Sequence, residues 1–171
     1  MSGKIYLDAV LIIDMAEYEA KPTKDREFEV WLCKQALTAA RDNKIQVFTS
    51  LLSVSECTTV APDLPSPPAE TRRFLDMLLL SGKSGITIVA LRQVIAIRAR
   101  DLRWAHEINL KGADAIHIAT AMEMKCDELW TRDDRIWKKR TEIAQLGLNV
   151  VKPAETSVLP EDYRNPGLFQ T

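Results

Sequence analysis

Apolar residues along the chain follow two alternating spacings, one typical of buried strands and one typical of helices. Short continuous apolar runs predict strands at residues 4–7, 45–50, 86–91, 127–131 and 148–151. Between them, apolar positions spaced as on one face of a helix predict helices at residues 24–44, 53–60, 69–81, 92–110, 113–125 and, in broken form, 135–147. The run AVLIIDMAEY after the first strand is ambiguous and is compatible with the start of a helix, whereas APDLPSPP predicts a loop.

This alternation of apolar strands and helices predicts an α/β fold with a mostly parallel sheet that is covered on both faces. In sheets of this kind, ligands bind at the carboxyl ends of the strands. The periodic part of the chain ends near Lys152, and the remaining residues contain three prolines and little periodicity. We therefore expect one domain over residues 1–152 and an extended C-terminal tail over residues 153–171.

Composition narrows the class of protein without identifying it. The chain has 171 residues, 46% of them hydrophobic, which is enough for a sizeable core and argues against disorder. Its net charge of −1 gives no bulk signature of nucleic-acid binding, although local basic patches matter more than net charge. Three widely separated cysteines indicate reduced thiols, and AVLII is too short for a signal peptide or a membrane span. We expect a soluble cytoplasmic protein that does not bind membranes.

Four acidic residues lie where predicted strands and helices meet. Asp8 ends the first strand, Glu56 is in the first turn of the helix after the second strand, Asp114 opens a helix, and Asp133 follows the strand DELWT. If they converge on one edge of the sheet, their mutual repulsion raises their pKa values, and a divalent cation relieves it. Carboxylate oxygens suit Mg²⁺ or Mn²⁺, and such a metal can promote hydrolysis of a phosphodiester.

Three of these acids also have structural explanations. Glu56 with Ser53 fits a capping box, and Asp114 is favoured near a helix N-terminus by the helix dipole. Asp133 or Asp134 could cap the next helix. A residue in the first turn can both cap a helix and coordinate a metal, so these roles are not exclusive.

The segments that carry the acids resemble the PIN-domain ribonucleases, in particular the VapC-type toxins of toxin–antitoxin pairs. IYLDAVLI is similar to the family's opening strand with its first aspartate, and TSLLSVSE is similar to the segment with the glutamate. GADAIHIATAMEMKCDELWTRDDRIW, the most specific piece, resembles the third and fourth acidic motifs with a Thr-x-Asp ending. The resemblance extends over residues 4–151.

The resemblance implies a three-layer α/β/α sandwich and a metal-dependent endoribonuclease, the toxin of a type II toxin–antitoxin system. It implies that Asp8, Glu56, Asp114 and Asp133 are the catalytic residues and the Mg²⁺ or Mn²⁺ ligands, supported by Thr131. Asp133 is preferred to Asp134 because it lies two residues after Thr131. RNA as substrate, products with 5′-phosphate and 3′-hydroxyl ends, a homodimer and an antitoxin that covers the acidic pocket are further implications.

Basic residues near these acids are candidates for substrate binding. His117 lies three residues after Asp114, and Arg132 and Arg135 flank the fourth acidic motif, while Arg98 belongs to an arginine-rich helix. Such side chains could hold an RNA backbone. His117 could instead pack beside the site, and the arginines could belong to solvated helix faces.

One position departs from the family pattern. The family usually has a polar residue two positions after the first aspartate, and here that residue is Val10. Val10 and the C-terminal tail motivate an alternative hypothesis, a catalytically impaired PIN-like module that binds RNA or a protein.

Overall fold

A parallel five-stranded sheet forms the centre of the protein. The computed structural model describes residues 2–60, 66–165 and 167. All strand pairs are parallel, and the strand order is β3-β2-β1-β4-β5. The strands are β1 (Gly3–Leu7), β2 (Ile45–Ser50), β3 (Ile86–Val89), β4 (Glu128–Trp130) and β5 (Asn149–Val151). The five strands expected from the apolar runs are confirmed.

Helices connect the strands. They are α1 (Ala9–Ala20), α2 (Glu27–Arg41), α3 (Leu52–Glu56), α4 (Ala69–Leu79), α5 (Gln93–Trp104), α6 (Gly112–Glu123), α7 (Asp134–Trp137) and α8 (Arg140–Ala144). The ambiguous run after β1 forms α1. The helix expected at 53–60 is split, because a 3₁₀ turn at Cys57–Thr59 follows α3. The helix expected at 92–110 is shorter than predicted, and Glu107 beyond its end has a φ of 58°, which a helix does not tolerate. Residues 61–65 of the expected loop lie outside the described residues.

The two faces of the sheet are covered by separate hydrophobic clusters. Because side chains alternate along a strand, Ile5 and Leu7 enter one cluster with residues of α1 and α2. Tyr6, between them, enters the other cluster with residues of α5 and α6. The arrangement is the expected α/β/α sandwich with three layers.

Parallel strands bring all their carboxyl ends to one edge of the sheet. Asp8 directly follows β1, α3 begins two residues after β2, and Thr131 directly follows β4. The helix α6 leads into β4 through a short connection, so its N-terminal end, with Asp114, lies at the same edge. The topology therefore directs four separate segments towards one site.

The C-terminal segment after Lys152 packs on the domain over its described part. It contains 3₁₀ turns at Pro153–Glu155 and Glu161–Tyr163. Leu159 is fully buried in the cluster that contains α1 and α2. A Cβ atom added to Gly3 of β1 would lie 2.4 Å from Cγ1 of Val158, so the Val158 side chain packs directly on the space that the glycine leaves open. The boundary at residue 152 stays a prediction, but the segment up to residue 165 is not a detached arm.

Within the described ranges, none of the helices combines the length and the apolar character that crossing a membrane requires. Cys33, Cys57 and Cys126 are buried and not joined in disulfides, as expected for reduced thiols.

Candidate functional site

The four acids identified in the sequence meet at one cavity at the carboxyl edge of the sheet. Its volume is about 220 Å³. The cavity is lined by Asp8, Ala9, Val10, Ile13, Glu56, Asp114, His117, Asp133 and Arg135. The four carboxylates come from different elements of the fold, so they are neighbours only because of the parallel sheet topology.

Asp8 is held at the end of β1 by hydrogen bonds on both carboxylate oxygens. Its Oδ1 accepts from the backbone N–H of Ala9 at 2.7 Å, which makes Asp8 the N-cap of α1. Its Oδ2 accepts from the hydroxyl of Thr131 at 2.6 Å. Thr131 Oγ1 accepts in turn from the backbone N–H of Asp133 at 2.9 Å. A single threonine thus connects the first and the fourth acid of the motif.

Glu56 lines the cavity and is held there by a hydrogen bond with His117. Oε2 of Glu56 lies 2.6 Å from Nε2 of His117, and Nδ1 of the same ring lies 2.7 Å from the hydroxyl of Tyr6. The hydroxyl of Tyr6 accepts from the backbone N–H of Ser50 at 2.9 Å. His117 is 2% exposed, so its ring is fixed between β1 and α3. The expected capping box is not formed, because α3 begins before Ser53 and has no side-chain cap.

Of the four acids, Asp114 has the fewest hydrogen bonds and ion pairs to compensate the negative charge of its carboxylate. It is 6% exposed, and its Oδ2 is a buried oxygen with no hydrogen-bond partner among the described residues. Its Oδ1 lies 3.6 Å from Nη2 of Arg135. Burial raises the pKa of Asp114, and it does the same to the pKa of Asp8, where His117 and Thr131 act in the opposite direction. Both carboxylates therefore lie in surroundings that disfavour negative charge.

Asp133, and not Asp134, faces this cavity. Oδ1 of Asp133 accepts from the backbone N–H of Arg135 at 2.7 Å, which caps α7. Oδ2 of Asp133 also binds the Arg135 guanidinium, whose hydrogen bonds lower the pKa of this carboxyl group. Asp134 is exposed and is not among the residues that line the cavity. The capping role considered for Asp133 is thus combined with a place in the cavity.

The acid cluster offers suitable oxygen atoms for a divalent metal ion, although not as a preformed cage. Among the described residues, no set of three or more His, Cys, Asp or Glu side chains is placed to hold a metal ion together. His117 and Arg135 contact all four acids instead: His117 contacts Asp8 and Glu56, and Arg135 contacts Asp114 and Asp133. Carboxylate oxygens are nevertheless the donors that Mg²⁺ and Mn²⁺ prefer, and Oδ2 of Asp114 is a buried acceptor in need of a partner. By this chemistry the residues fit a hard divalent ion, which would replace contacts of Arg135 and His117.

The other candidate substrate-binding residues differ in their positions. His117 and Arg135 line the cavity, whereas Arg132 and Arg98 do not. Arg132 forms ion pairs with Asp14 and Glu29, and Arg98 lies 3.4 Å from Glu123.

Two residues of this region were not identified from the sequence. Tyr6, on the strand position before Leu7, anchors His117, and nothing local distinguishes it from an ordinary core residue. Asp14 is a buried acid within the apolar run LIIDMA, and an acid in such a run is the signal that could have revealed it.

Comparisons with known proteins agree with this arrangement. The protein-family model described as PIN domain matches residues 5–142. No curated protein matches the chain. Among solved structures, a chain of a toxin–antitoxin complex from Klebsiella pneumoniae is similar with a TM-score of 0.52 and 23% identity. The alignment covers 87% of the present chain and 97% of that chain, and at this identity it shows a shared fold.

Proposed function

Since the chain belongs to the PIN domain family, whose members are generally nucleases, we propose that it is a metal-dependent endoribonuclease. One observation carries the proposal: Asp8, Glu56, Asp114 and Asp133 come from four segments and line one cavity at the carboxyl edge of the sheet. Four carboxylates in one cavity repel one another, and a fold retains such an arrangement when a cation is to be bound there.

The four acids would hold Mg²⁺ or Mn²⁺. When bound, such an ion supplies a nucleophilic water at neutral pH and stabilises charge on phosphoryl oxygens. Thr131 holds Asp8 and Asp133 close together, because its hydroxyl donates to the carboxylate of Asp8 and accepts from the backbone N–H of Asp133. His117 holds Glu56 at the rim through a 2.6 Å hydrogen bond.

Basic side chains beyond Asp133 support RNA as the substrate. Arg135 lines the cavity, and the guanidinium of Arg140 and the ammonium of Lys152 lie 4.7 Å and 5.2 Å from the ring centre of Trp137. Arg140 and Lys152 are exposed and form no ion pair with other described residues. Arg135 at the cavity, together with these exposed cations elsewhere on the surface, would hold the phosphate backbone while the scissile phosphate reaches the metal site.

We also propose that the protein is a type II toxin with an antitoxin partner, and that it forms a homodimer in the cytoplasm. The similar fold in a complex described as toxin–antitoxin supports the first part. Exposed apolar side chains on α5, namely Val94, Ile97 and Trp104, support association with a second chain, because such a row is uncommon on a monomer surface.

The decisive experiment is a cleavage assay on the purified chain without any partner. Single-stranded and structured RNAs are incubated with Mg²⁺, with Mn²⁺ or with a chelator. We expect cleavage with either metal, none with chelator, and a decrease of more than about 100-fold in Asp8→Asn, since metal-held charge stabilisation is worth several kcal/mol. The exposed acid Asp134 is the matched control, and Asp134→Asn should cleave like the wild type. Cleavage that persists in chelator, or in Asp8→Asn, would refute the proposal.

The alternative function, a PIN-like module that binds RNA or a protein without cleaving it, rests on Val10. This aliphatic residue lines the cavity, where the family pattern has a polar side chain. Under this alternative, the wild type binds RNA equally well with metal and with chelator and produces no cleavage. Restoring a polar side chain in Val10→Asn would then increase cleavage from a negligible level.

A further inference from the structure

Arg132 lies between two residues of the acidic site and extends away from the cavity into a network of charged side chains. Its Nη1 donates to Oδ2 of Asp14 at 2.7 Å, and its Nε lies 3.1 Å from Oε2 of Glu29. Asp14 belongs to α1 and Glu29 to α2. The guanidinium therefore ties the segment after β4 to two helices on one side of the sheet.

Asp14 is the centre of this network. It is 6% exposed, and each of its carboxylate oxygens accepts a hydrogen bond from a different arginine. Oδ1 accepts from Arg26 at 2.8 Å, and Oδ2 accepts from Arg132. Arg26 also binds Glu17. A buried carboxylate depends strongly on such partners, so the position of Arg132 is tightly constrained.

The constraint on Arg132 acts directly on the acidic site, since its neighbours in the chain are Thr131 and Asp133. The Thr131 hydroxyl donates to Asp8 and accepts from the N–H of Asp133. The three-residue segment is thus held by Thr131 at the cavity and by Arg132 behind it. A displacement of this backbone would move Asp133 away from the other acids.

We infer that Asp14 and Arg132 are positioning residues of the nuclease site, acting through the segment 131–133. This inference rests on the proposed function for its catalytic consequence, but the geometric claim is independent of it. It reverses the interpretation of Arg132 as a substrate-binding residue. The network contains three carboxylates and two guanidiniums, so its net charge is negative and does not favour a phosphate.

The test compares Asp14→Asn and Arg132→Gln with the wild type, using RNA cleavage kinetics and RNA binding in chelator over a range of salt concentrations. We expect kcat to fall about 10–100-fold in both variants, as when an outer partner of a metal ligand is lost. KM and the salt dependence of binding should stay at the wild-type value. Arg132→Lys, which keeps a charge for Asp14, should recover part of kcat. Arg73→Gln, an exposed arginine on α4, is the matched control and should leave all quantities unchanged.

If Arg132 instead bound a phosphate of the RNA, the two variants would differ from each other. If Arg132→Gln raises KM and lowers the salt slope by about one unit while Asp14→Asn cleaves normally, Arg132 contacts the substrate and the inference is wrong. Wild-type kcat in both variants would also refute it.

Amide hydrogen exchange separates this inference from the proposed function, since it requires no activity. The amides of Thr131 and Asp133 should exchange faster in Asp14→Asn and Arg132→Gln than in Arg73→Gln, with circular dichroism confirming that the variants fold. If the wild type cleaves no RNA but this difference appears, the nuclease proposal fails and the positioning role stands. Unchanged exchange in folded variants would overturn the positioning role.

Discussion

Nε2 of His117 lies 2.6 Å from Oε2 of Glu56, and the two residues are 61 positions apart in the chain. The opposite ring nitrogen contacts the hydroxyl of Tyr6. Burial lowers the pKa of His117, but the hydrogen bond with Glu56 and the charges of Asp8, Glu56 and Asp114 outweigh it, so the pKa is raised. The raised pKa favours the protonated, positively charged imidazole, and this group holds Glu56 at the cavity.

Replacing His117 by alanine should reduce cleavage by about 10–100-fold, because Glu56 loses the group that orients it. Steady-state kinetics on an oligoribonucleotide would show the change in kcat. Tyr6→Phe is the companion variant, since it removes the hydroxyl that contacts Nδ1 and keeps the aromatic ring. We expect a smaller decrease there, and unchanged kinetics in His117→Ala would show that Glu56 needs no such support.

Asp114→Asn should stabilise the metal-free protein at neutral pH. The pKa of Asp114 is raised in the folded state, so ionisation of this carboxyl group destabilises the fold as pH rises above the value for the unfolded chain, about 3.9. Below that pH both states are protonated, and the variant gains nothing. Above the folded-state pKa, we expect a gain of about 1 kcal/mol in the free energy of unfolding, or roughly 2–4 °C in Tm.

Thermal unfolding in chelator at several pH values measures this difference. Asp134→Asn, at an exposed site outside the cavity, should show no pH-dependent gain. Mn²⁺ should raise the Tm of the wild type and have a smaller effect on Asp114→Asn, since ligand binding stabilises the folded state. A destabilised Asp114→Asn at pH 7 would contradict the argument that burial makes the ionised carboxylate unfavourable in the folded protein.

Leu159→Ala should lower the free energy of unfolding by about 2–5 kcal/mol, because this fully buried side chain would leave a cavity in the core. Chemical denaturation followed by circular dichroism measures the loss. Leu80→Ala is the matched control, as Leu80 is 63% exposed and should change stability by less than about 0.5 kcal/mol. Equal stability of the two variants would mean that the C-terminal segment contributes little to the fold.

The cysteine thiols should be almost inert in the native protein. Burial raises the pKa of Cys57 and Cys126 to about 12 and the pKa of Cys33 further above its usual value. At pH 8, a thiol with a pKa of 12 has a thiolate fraction on the order of 10⁻⁴, and the thiolate is the reactive form. Mass spectrometry after iodoacetamide treatment should show slow alkylation in buffer and rapid alkylation in denaturant. Rapid native alkylation at one position would identify an accessible cysteine instead.

The strands and the position of Asp8 were predictable because they depend on local patterns, whereas Glu56, expected in the first turn of a helix, is the last residue of α3. Continuous apolar runs indicate buried strands, and an acid directly after such a run, as with Asp8, lies at the carboxyl edge of a parallel sheet. Helix ends were less predictable, as α5 shows, because they depend on capping and on contacts beyond the helix. Residues 153–165 have little periodicity, yet Leu159 is buried, since a short irregular segment can bury single side chains without a repeating pattern.

The sequence by itself determined the fold class, through alternating strand and helix patterns, and the identity of the acids that meet at one edge of the sheet. Tertiary structure decided which partner each charged side chain binds. Arg132 and Asp14 are 118 residues apart, and no local pattern distinguishes an arginine that binds a buried carboxylate from one that faces solvent. Hydrogen bonds act over about 3 Å, so partners are chosen only when packing of the sheet and helices has brought distant segments together.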